Sequence, residues 1–545
     1  MQLRFFCSLA ITMLVTSGLS AQTKKPSANS KTKVVVNPKA EVWKKQVIQA
    51  LDGKLKQAQE MVDQVFSFSE LGFQETETSA YLTGILEQNG FTIQRGISGI
   101  PTAWMAKWGN GKPVIAMGSD IDGIPKSSQK PGVAYKEPIV DGAPGHGEGH
   151  NSGLPLLLLS ALEAKKIMEE QKLPGTLVIW PGVAEELVGS KAWYIRDGYF
   201  KDIDACIFTH VSSNMSVGWG DAGNNGLVSV QFTFEGNSAH AAGAPWRGKS
   251  ALDAVELMNI AWNFKREHLK PTQRSHYVIT DGGDQPNVVP SKATVWYYLR
   301  ERTYEDIKSM YDEAVLYSKS VAAMTGTTVT HQLVGTAWPG HFNKSIAEAI
   351  QKNIYRVGLP TWDSADQQFA RAVQKMLNGP DSKAQPRGLA VKMDSLKGPV
   401  QFSMGGGSDD IADIAWNVPT VVFRYPANIP GTPGHNWADA MSMATPIAHK
   451  GVLAGSKVVA ATLIDMLTNP AIIEDAWKYH DSVQTKQTKY KSFVEPGTAP
   501  AIHLNKDIMD QYRPELRKYY YDPAKYNSYL EQLGIKYPQL EKPAK

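Results

Sequence analysis

Val114-Ile115-Ala116-Met117-Gly118-Ser119-Asp120-Ile121-Asp122-Gly123 runs from an apolar stretch into the acidic pair Asp120 and Asp122. Residues 114–117 read as a buried strand, and residues 119–123 as the loop at its C-terminal end. The same arrangement recurs along the chain. Residues 176–180, 205–209 and 420–423 are further short apolar runs, and residues 154–169 and 446–467 between and after them have helical spacing. Alternation of strand and helix implies an α/β fold with a largely parallel sheet. In such sheets ligands bind at the carboxyl ends of the strands, which is where the polar clusters of this chain fall.

Working outward, residues 42–68 and 77–89 read as helices, the second stopped by Gly90. Residues 227–235 and 293–302 alternate in the manner of strands, residues 250–267 and 304–324 read as helices, and residues 327–333 as a third strand. This block, placed at 226–336, is an α+β unit inserted into the α/β unit, whose two parts are 40–225 and 337–469. The stretch 470–545 is polar and aromatic, with too few periodic apolar residues for a domain, and is expected to wrap over the α/β unit as a C-terminal extension.

The chain has 545 residues, which corresponds to roughly two to four domains, and 42% of them are hydrophobic. The 57 Lys+Arg against 53 Asp+Glu leave +4, too little to imply a nucleic-acid partner. Arg4 precedes the apolar run 5–15 and the small, polar residues 16–21, the pattern of a secretory signal over 1–21. That run is too short for a comfortable membrane span, so a secreted or periplasmic location is expected, with no stable membrane insertion. Residues 22–39 are Lys-, Ser- and Pro-rich and read as a linker. The only cysteines are Cys7, inside the signal, and Cys206. Disulfide scaffolds and CxxC zinc modules are thereby excluded, and any metal site must be built from His, Asp and Glu.

Five clusters follow the strands: Asp120 with Asp122; Gly145-His146-Gly147-Glu148-Gly149-His150-Asn151; Glu185-Glu186; His210; and Pro433-Gly434-His435. A two-metal hydrolytic centre holds its ions about 3.5–4 Å apart, and a bridging carboxylate reduces their repulsion. A further carboxylate is needed to take a proton from the attacking water and hand it to the leaving nitrogen. Adjacent glutamates in an irregular turn suit this, one facing the ions and its neighbour the water. Each cluster taken alone has a plainer reading. Asp120 and Asp122 suit an Asx turn, a Glu-Glu pair a solvated face, His210 a satisfied core histidine, and His435 a loop hydrogen bond. Their joint placement after successive strands is what argues for one site.

The chain resembles the M20 metallopeptidase family in its amidohydrolase branch (subfamily D), and more narrowly the group of aminobenzoyl-glutamate hydrolase B subunits. The resemblance is carried by Ser69-Glu70-Leu71-Gly72-Phe73-Gln74-Glu75, 118–125, 145–151, Ala184-Glu185-Glu186 and Thr209-His210-Val211. It continues through Ser238-Ala239-His240-Ala241-Ala242, Pro286-Asn287-Val288-Val289-Pro290, Arg300, 407–416 (GSDDIADIAW) and Gly431-Thr432-Pro433-Gly434-His435, and covers about residues 45–470.

The resemblance implies a catalytic, hydrolase-like α/β domain interrupted by a ferredoxin-like lid that forms a homodimer. It implies two divalent ions, zinc or manganese, held by Glu148, His150, Glu186, His210 and His435, with Glu185 as general base and acid. Asp122 would orient the ligands. His240 would stabilise the oxyanion in a neighbouring protomer's site, and Asn287 and Arg300 would grip the substrate, Arg300 through a carboxylate. The implied reaction is hydrolysis of the amide bond of N-acyl amino acids or aminobenzoyl-glutamate-like small molecules, and the subgroup's name implies a second, different polypeptide as partner. A dipeptidase or carboxypeptidase shares the same catalytic residues. A binding protein without activity would lack ligands or the base, and all of them are present. Trp246 and Trp338 would line an acyl pocket or belong to the lid core or an interface. One departure stands out: the branch commonly carries cysteine where Glu148 stands. Losing a soft thiolate weakens the preference for zinc over manganese, and a carboxylate tolerates an oxidising compartment.

Overall fold

The computed structural model describes residues 38–379 and 381–542. The expected secretory signal and all but the end of the expected linker lie outside the described residues. The strands are β1 (Thr92–Arg95), β2 (Trp104–Asn110), β3 (Val114–Asp120), β4 (Gly175–Gly182), β5 (Ala205–Ser212), β6 (Ser216–Val217) and β7 (Gly220–Asp221). They are followed by β8 (Gly226–Glu235), β9 (Arg274–Asp281), β10 (Lys292–Glu301), β11 (Thr328–Ala337), β12 (His341–Phe342) and β13 (Thr420–Pro426).

The large sheet has the order β1-β2-β4-β3-β5-β13-β6. Its central strands β4, β3, β5 and β13 are parallel, and the antiparallel pairings are confined to its edges. The fold is therefore mixed α/β with a mostly parallel core sheet. Strand β4 is buried from end to end, as expected of a central strand covered on both faces. Helix Pro446–Thr468 packs against helices Gly153–Gln171, Pro38–Asp52 and Lys344–Val357. Among the described residues it alone is long and apolar enough to cross a membrane, yet 78% of its apolar window is buried in the protein. It is a core helix.

The second sheet, β11-β8-β10-β9, is antiparallel throughout. Alternate residues Val228, Val230, Phe232 and Phe234 of β8 and Val295, Tyr297 and Leu299 of β10 point into one apolar cluster. Helices Ala251–Arg266 and Tyr304–Thr325 supply the other side of that cluster. Both helices begin on a hydroxyl cap, Ser250 accepting from the Asp253 amide and Thr303 from the Asp306 amide. Strand β9 was not expected from the sequence. It is a half-exposed edge strand, so it lacks the apolar alternation that marks its neighbours. The expected single helix over 42–68 is two helices, Pro38–Asp52 and Leu55–Phe68, interrupted at Gly53 and Lys54.

The C-terminal extension lies along the α/β unit. The Tyr529 amide donates to Asp63 (3.1 Å) and the Tyr521 amide to Ser67 (3.0 Å). Arg513 bonds the Glu70 carboxylate and donates to the Gln74 carbonyl (2.7 Å).

Candidate metal centre

The loop after β3, the loop 145–151, the turn after β4, the end of β5 and the loop after β13 converge at one end of the parallel strands. Strands β5 and β13 are in register with His210 opposite Arg424, which sets His210 at the sheet's rim. Gly149, at φ 105°, takes a left-handed conformation and turns the chain between Glu148 and His150. Glu185 and Glu186 lie in a single 3-10 turn bracketed by two left-handed residues, Ala184 (φ 52°) and Val188 (φ 48°). His435 is left-handed too, at φ 56°. Non-glycine residues in this region are strained and cluster at functional sites.

The five residues expected as ligands form two groups, beside which Asp120, His150 and Glu185, and Glu185, Asp409 and Asp410, also cluster. Glu148, His150 and His210 offer ligand atoms within 4.8 Å of one another, and so do Glu148, Glu186 and His435. Glu148 is common to both. Its Oε1 lies 3.5 Å from His210 Nε2 and its Oε2 2.6 Å from His435 Nε2. Glu186 Oε2 lies 3.4 Å from the same His435 nitrogen. Asp122 sits behind, accepting the Glu186 amide at 3.1 Å and approaching His150 Nδ1 at 3.4 Å. Glu185 Oε2 is 4.0 Å from His150 Nε2.

This donor set fits metal ions. His150 Nε2 and Glu186 Oε1 are buried and make no hydrogen bond, a costly state that coordination would relieve. His210 Nδ1 lies 2.8 Å from the Val211 carbonyl and 3.0 Å from an Arg424 guanidinium nitrogen, and its Nε2 is the nitrogen nearest Glu148. Two divalent ions would find three donor groups each, with one carboxylate shared.

Electrostatics set Glu148 apart from Glu185 and Glu186. Burial, then Asp409, Asp120 and Glu186, hold the Glu185 carboxyl well above the usual carboxylate range. Burial and then Glu148 do the same for Glu186. Burial also opposes the charge of Glu148, but His210 and His435 outweigh it and hold its carboxyl well below that range.

A cavity of about 690 Å³ opens on this cluster and is lined by Glu148, Glu185, Glu186, His210, Arg300 and His435 among others. Arg300 donates to Ser408 Oγ at 2.7 Å and lies 5.2 Å over the Tyr298 ring. Its Nε is buried without a partner. His240 and Asn287 do not reach this cavity. Both are exposed on the β8–β11 unit, joined by the bridge between His240 and Val288 and by the Ala241 amide donating to the Asn287 carbonyl. The His240 Nδ1 accepts the Ala242 and Gly243 amides, so only Nε2 faces outward. Trp338 is not an acyl-pocket residue. It is buried in the apolar cluster of the β8–β11 unit and stacks on Tyr304, whereas Trp246 is 77% exposed.

Sequence reasoning missed Lys191 and Arg424. Lys191 is fully buried, with its ammonium on Asp120 at 2.6 Å and on Asp410. No motif marks a lysine at the start of a short helix as buried. Arg424 lies 3.0 Å from His210 Nδ1 and lines the cavity. Its signal was a charged residue interrupting the apolar run of β13.

Comparison with known proteins places this geometry. A family model for the M20 peptidase dimerisation domain matches residues 222–323. The B subunit of p-aminobenzoyl-glutamate hydrolase from Escherichia coli (strain K12) is 30% identical over 457 residues, spanning 80% of this chain and 95% of that protein. The chain belongs to the M20 peptidase family. Family members are hydrolases of amide bonds, and so is this one. A more distant relative, the Xaa-Arg dipeptidase of Mus musculus, is 24% identical over 80% of this chain and 92% of its own length. A solved aminohydrolase structure from methicillin-resistant Staphylococcus aureus shares the fold, with a TM-score of 0.53 at 18% identity, over 78% of this chain and all of that one.

Proposed function

We propose that this M20 hydrolase cleaves the amide bond of N-acyl amino acids, with aminobenzoyl-glutamate-like amides among its substrates, at a centre of two divalent ions. The observation that carries the proposal is the pair of ligand groups sharing Glu148, with Glu185 buried beside them. Glu148, His150, Glu186, His210 and His435 would hold the ions. Bound there, divalent ions supply Lewis acidity to an amide carbonyl and lower the pKa of water.

The chain's own groups do the rest. Glu185 takes a proton from the attacking water and returns it to the departing nitrogen. Asp122 orients His150 and pins the Glu186 amide. Arg300, which lines the cavity, faces a substrate carboxylate. His240 and Asn287 are exposed and outside the cavity of their own protomer, which supports a role at the site of a second copy, paired through the inserted unit 226–336. The signal pattern in 1–21 supports export. A second, different polypeptide is a further partner to test for.

The relatives' names separate two substrate classes, an aminobenzoyl-amino acid and a dipeptide. Purified full-length enzyme loaded with zinc or manganese is to be assayed on acetyl-, benzoyl- and p-aminobenzoyl-glutamate beside Ala-Arg and Gly-Glu. The proposal expects preferred cleavage of the acyl amides. Preference for the dipeptides would shift the assignment to a dipeptidase, and inertness towards all of them would reject it.

A further inference from the structure

The metal-ligand cluster has a second chamber besides the 690 Å³ cavity. It measures about 260 Å³ and shares Glu186 and His435 with the larger one. The rest of its lining is chiefly apolar, with Leu71, Ile124, Pro125 and Leu187, and includes Asn505 of the C-terminal extension. At less than the roughly 300 Å³ of small-ligand pockets, it holds a fragment and not a whole substrate.

The extension is fastened to this wall. Asn505 Nδ2 donates to the Gly72 carbonyl at 3.1 Å, and the Gln74 side chain donates to the Leu504 carbonyl at 2.9 Å. Gly72 itself is boxed in, since a Cβ there would meet Ala184 at 2.8 Å. The loop carrying Leu71 is thus pressed against the turn of Glu185 and Glu186 on one side and held by the extension on the other. Asn505 is left-handed, at φ 64°, a conformation that asparagine tolerates and glycine adopts freely.

An amide cleaved at the shared ligands must send its two halves in different directions. The carboxylate-bearing half belongs in the large cavity, where Arg300 supplies a cation. The small chamber has no lysine or arginine in its lining. We infer that this chamber takes the uncharged acyl half of the substrate and that Asn505, from the C-terminal extension, sets the size it accepts. This inference rests on the amide-hydrolase reading above.

The test uses full-length enzyme and one amine half, the best cleaved by wild type, carrying formyl, acetyl, hexanoyl or benzoyl groups. Asn505→Trp is expected to lower kcat/KM for the benzoyl amide at least tenfold more than for the formyl amide. Asn505→Gly, which suits the left-handed backbone, is expected to move the preference towards the larger acyl groups. Neither is expected to reorder a series with fixed acyl and varied amine halves. Melting temperature and metal content report whether each variant is folded and loaded. Uniform changes across the acyl series in both variants, or a reordered amine series, would overturn the inference while leaving the hydrolase reading intact. A loaded wild type inert to every amide would overturn that reading and the inference with it.

Discussion

Lys191 places its ammonium 2.6 Å from Asp120 Oδ1, with neither side chain reaching solvent. Asp410 holds the same nitrogen from the other side. Burial opposes the lysine's charge, but the two aspartates outweigh it and raise its pKa well above the ordinary value. The triad ties β3 to the turn after β4 and to the loop 407–410, three pieces that wall the site. Removing one partner of such a buried pair leaves an uncompensated charge, at a cost of about 3–5 kcal/mol. Lys191→Met is expected to lower unfolding free energy by about that amount, measured by urea denaturation. A loss within experimental error would mean the ammonium is not what holds these segments.

In the proposed centre Glu148 is shared by both groups, so its loss should affect both ions. Glu148→Ala is expected to reduce bound metal from two ions per chain to one or none, measured by elemental analysis after gel filtration. Glutamate in place of the thiolate common in the branch also predicts the outcome of competition. With zinc and manganese offered together at equal free concentrations, manganese should be retained to a degree that the Glu148→Cys variant loses. Equal, strong zinc preference in both proteins would remove the argument from ligand softness.

Arg300 is half-buried and lines the cavity. A charge-assisted hydrogen bond is worth about 1.5–3 kcal/mol, and every 1.4 kcal/mol is about tenfold. Arg300→Ala should therefore lower kcat/KM by one to two orders of magnitude on substrates bearing a carboxylate. It should change little on the matching amides in which that carboxylate is neutralised. Lysine should rescue only in part, because it lacks the planar fork.

Asp413 gives the protein a pH dependence. Burial pushes its carboxyl up to about 8, although Tyr490 donates to it at 2.7 Å and the Trp338 amide at 3.1 Å. In the unfolded chain it titrates near about 3.9. The folded form therefore holds a proton that the unfolded form releases. Its stabilising contribution is complete below about pH 4 and is lost as pH rises through about 8. Asp413→Asn should remove this slope. Unfolding free energies from pH 4 to pH 9 should converge on or cross those of wild type as pH rises, and parallel curves would contradict it. Because Tyr490 and the Lys491 carbonyl, which accepts from the Trp338 indole, belong to the C-terminal extension, the docking of that segment carries the same dependence.

What the sequence made legible follows from what repeats in it. Strands β3, β4, β5 and β13 were readable because central strands of a covered parallel sheet are continuous apolar runs. The clusters after them were readable because ligands gather at strand ends. Edge strands β1 and β9 escaped because their residues are largely exposed and carry no apolar pattern. The triad of Lys191, Asp120 and Asp410 escaped because its members are distant in sequence and only folding joins them. Asn505 escaped for a related reason, since its position depends on the extension crossing back to Gly72.

In the proposed mechanism Glu185 moves the proton at a centre whose ions other residues hold. The direct measurement is turnover and metal content of Glu185→Gln on the best amide substrate. The variant should keep two ions per chain and the wild-type melting temperature while kcat falls by about two to four orders of magnitude. Near-normal turnover with the metal in place would contradict the account, as would a loss of activity explained wholly by a loss of metal.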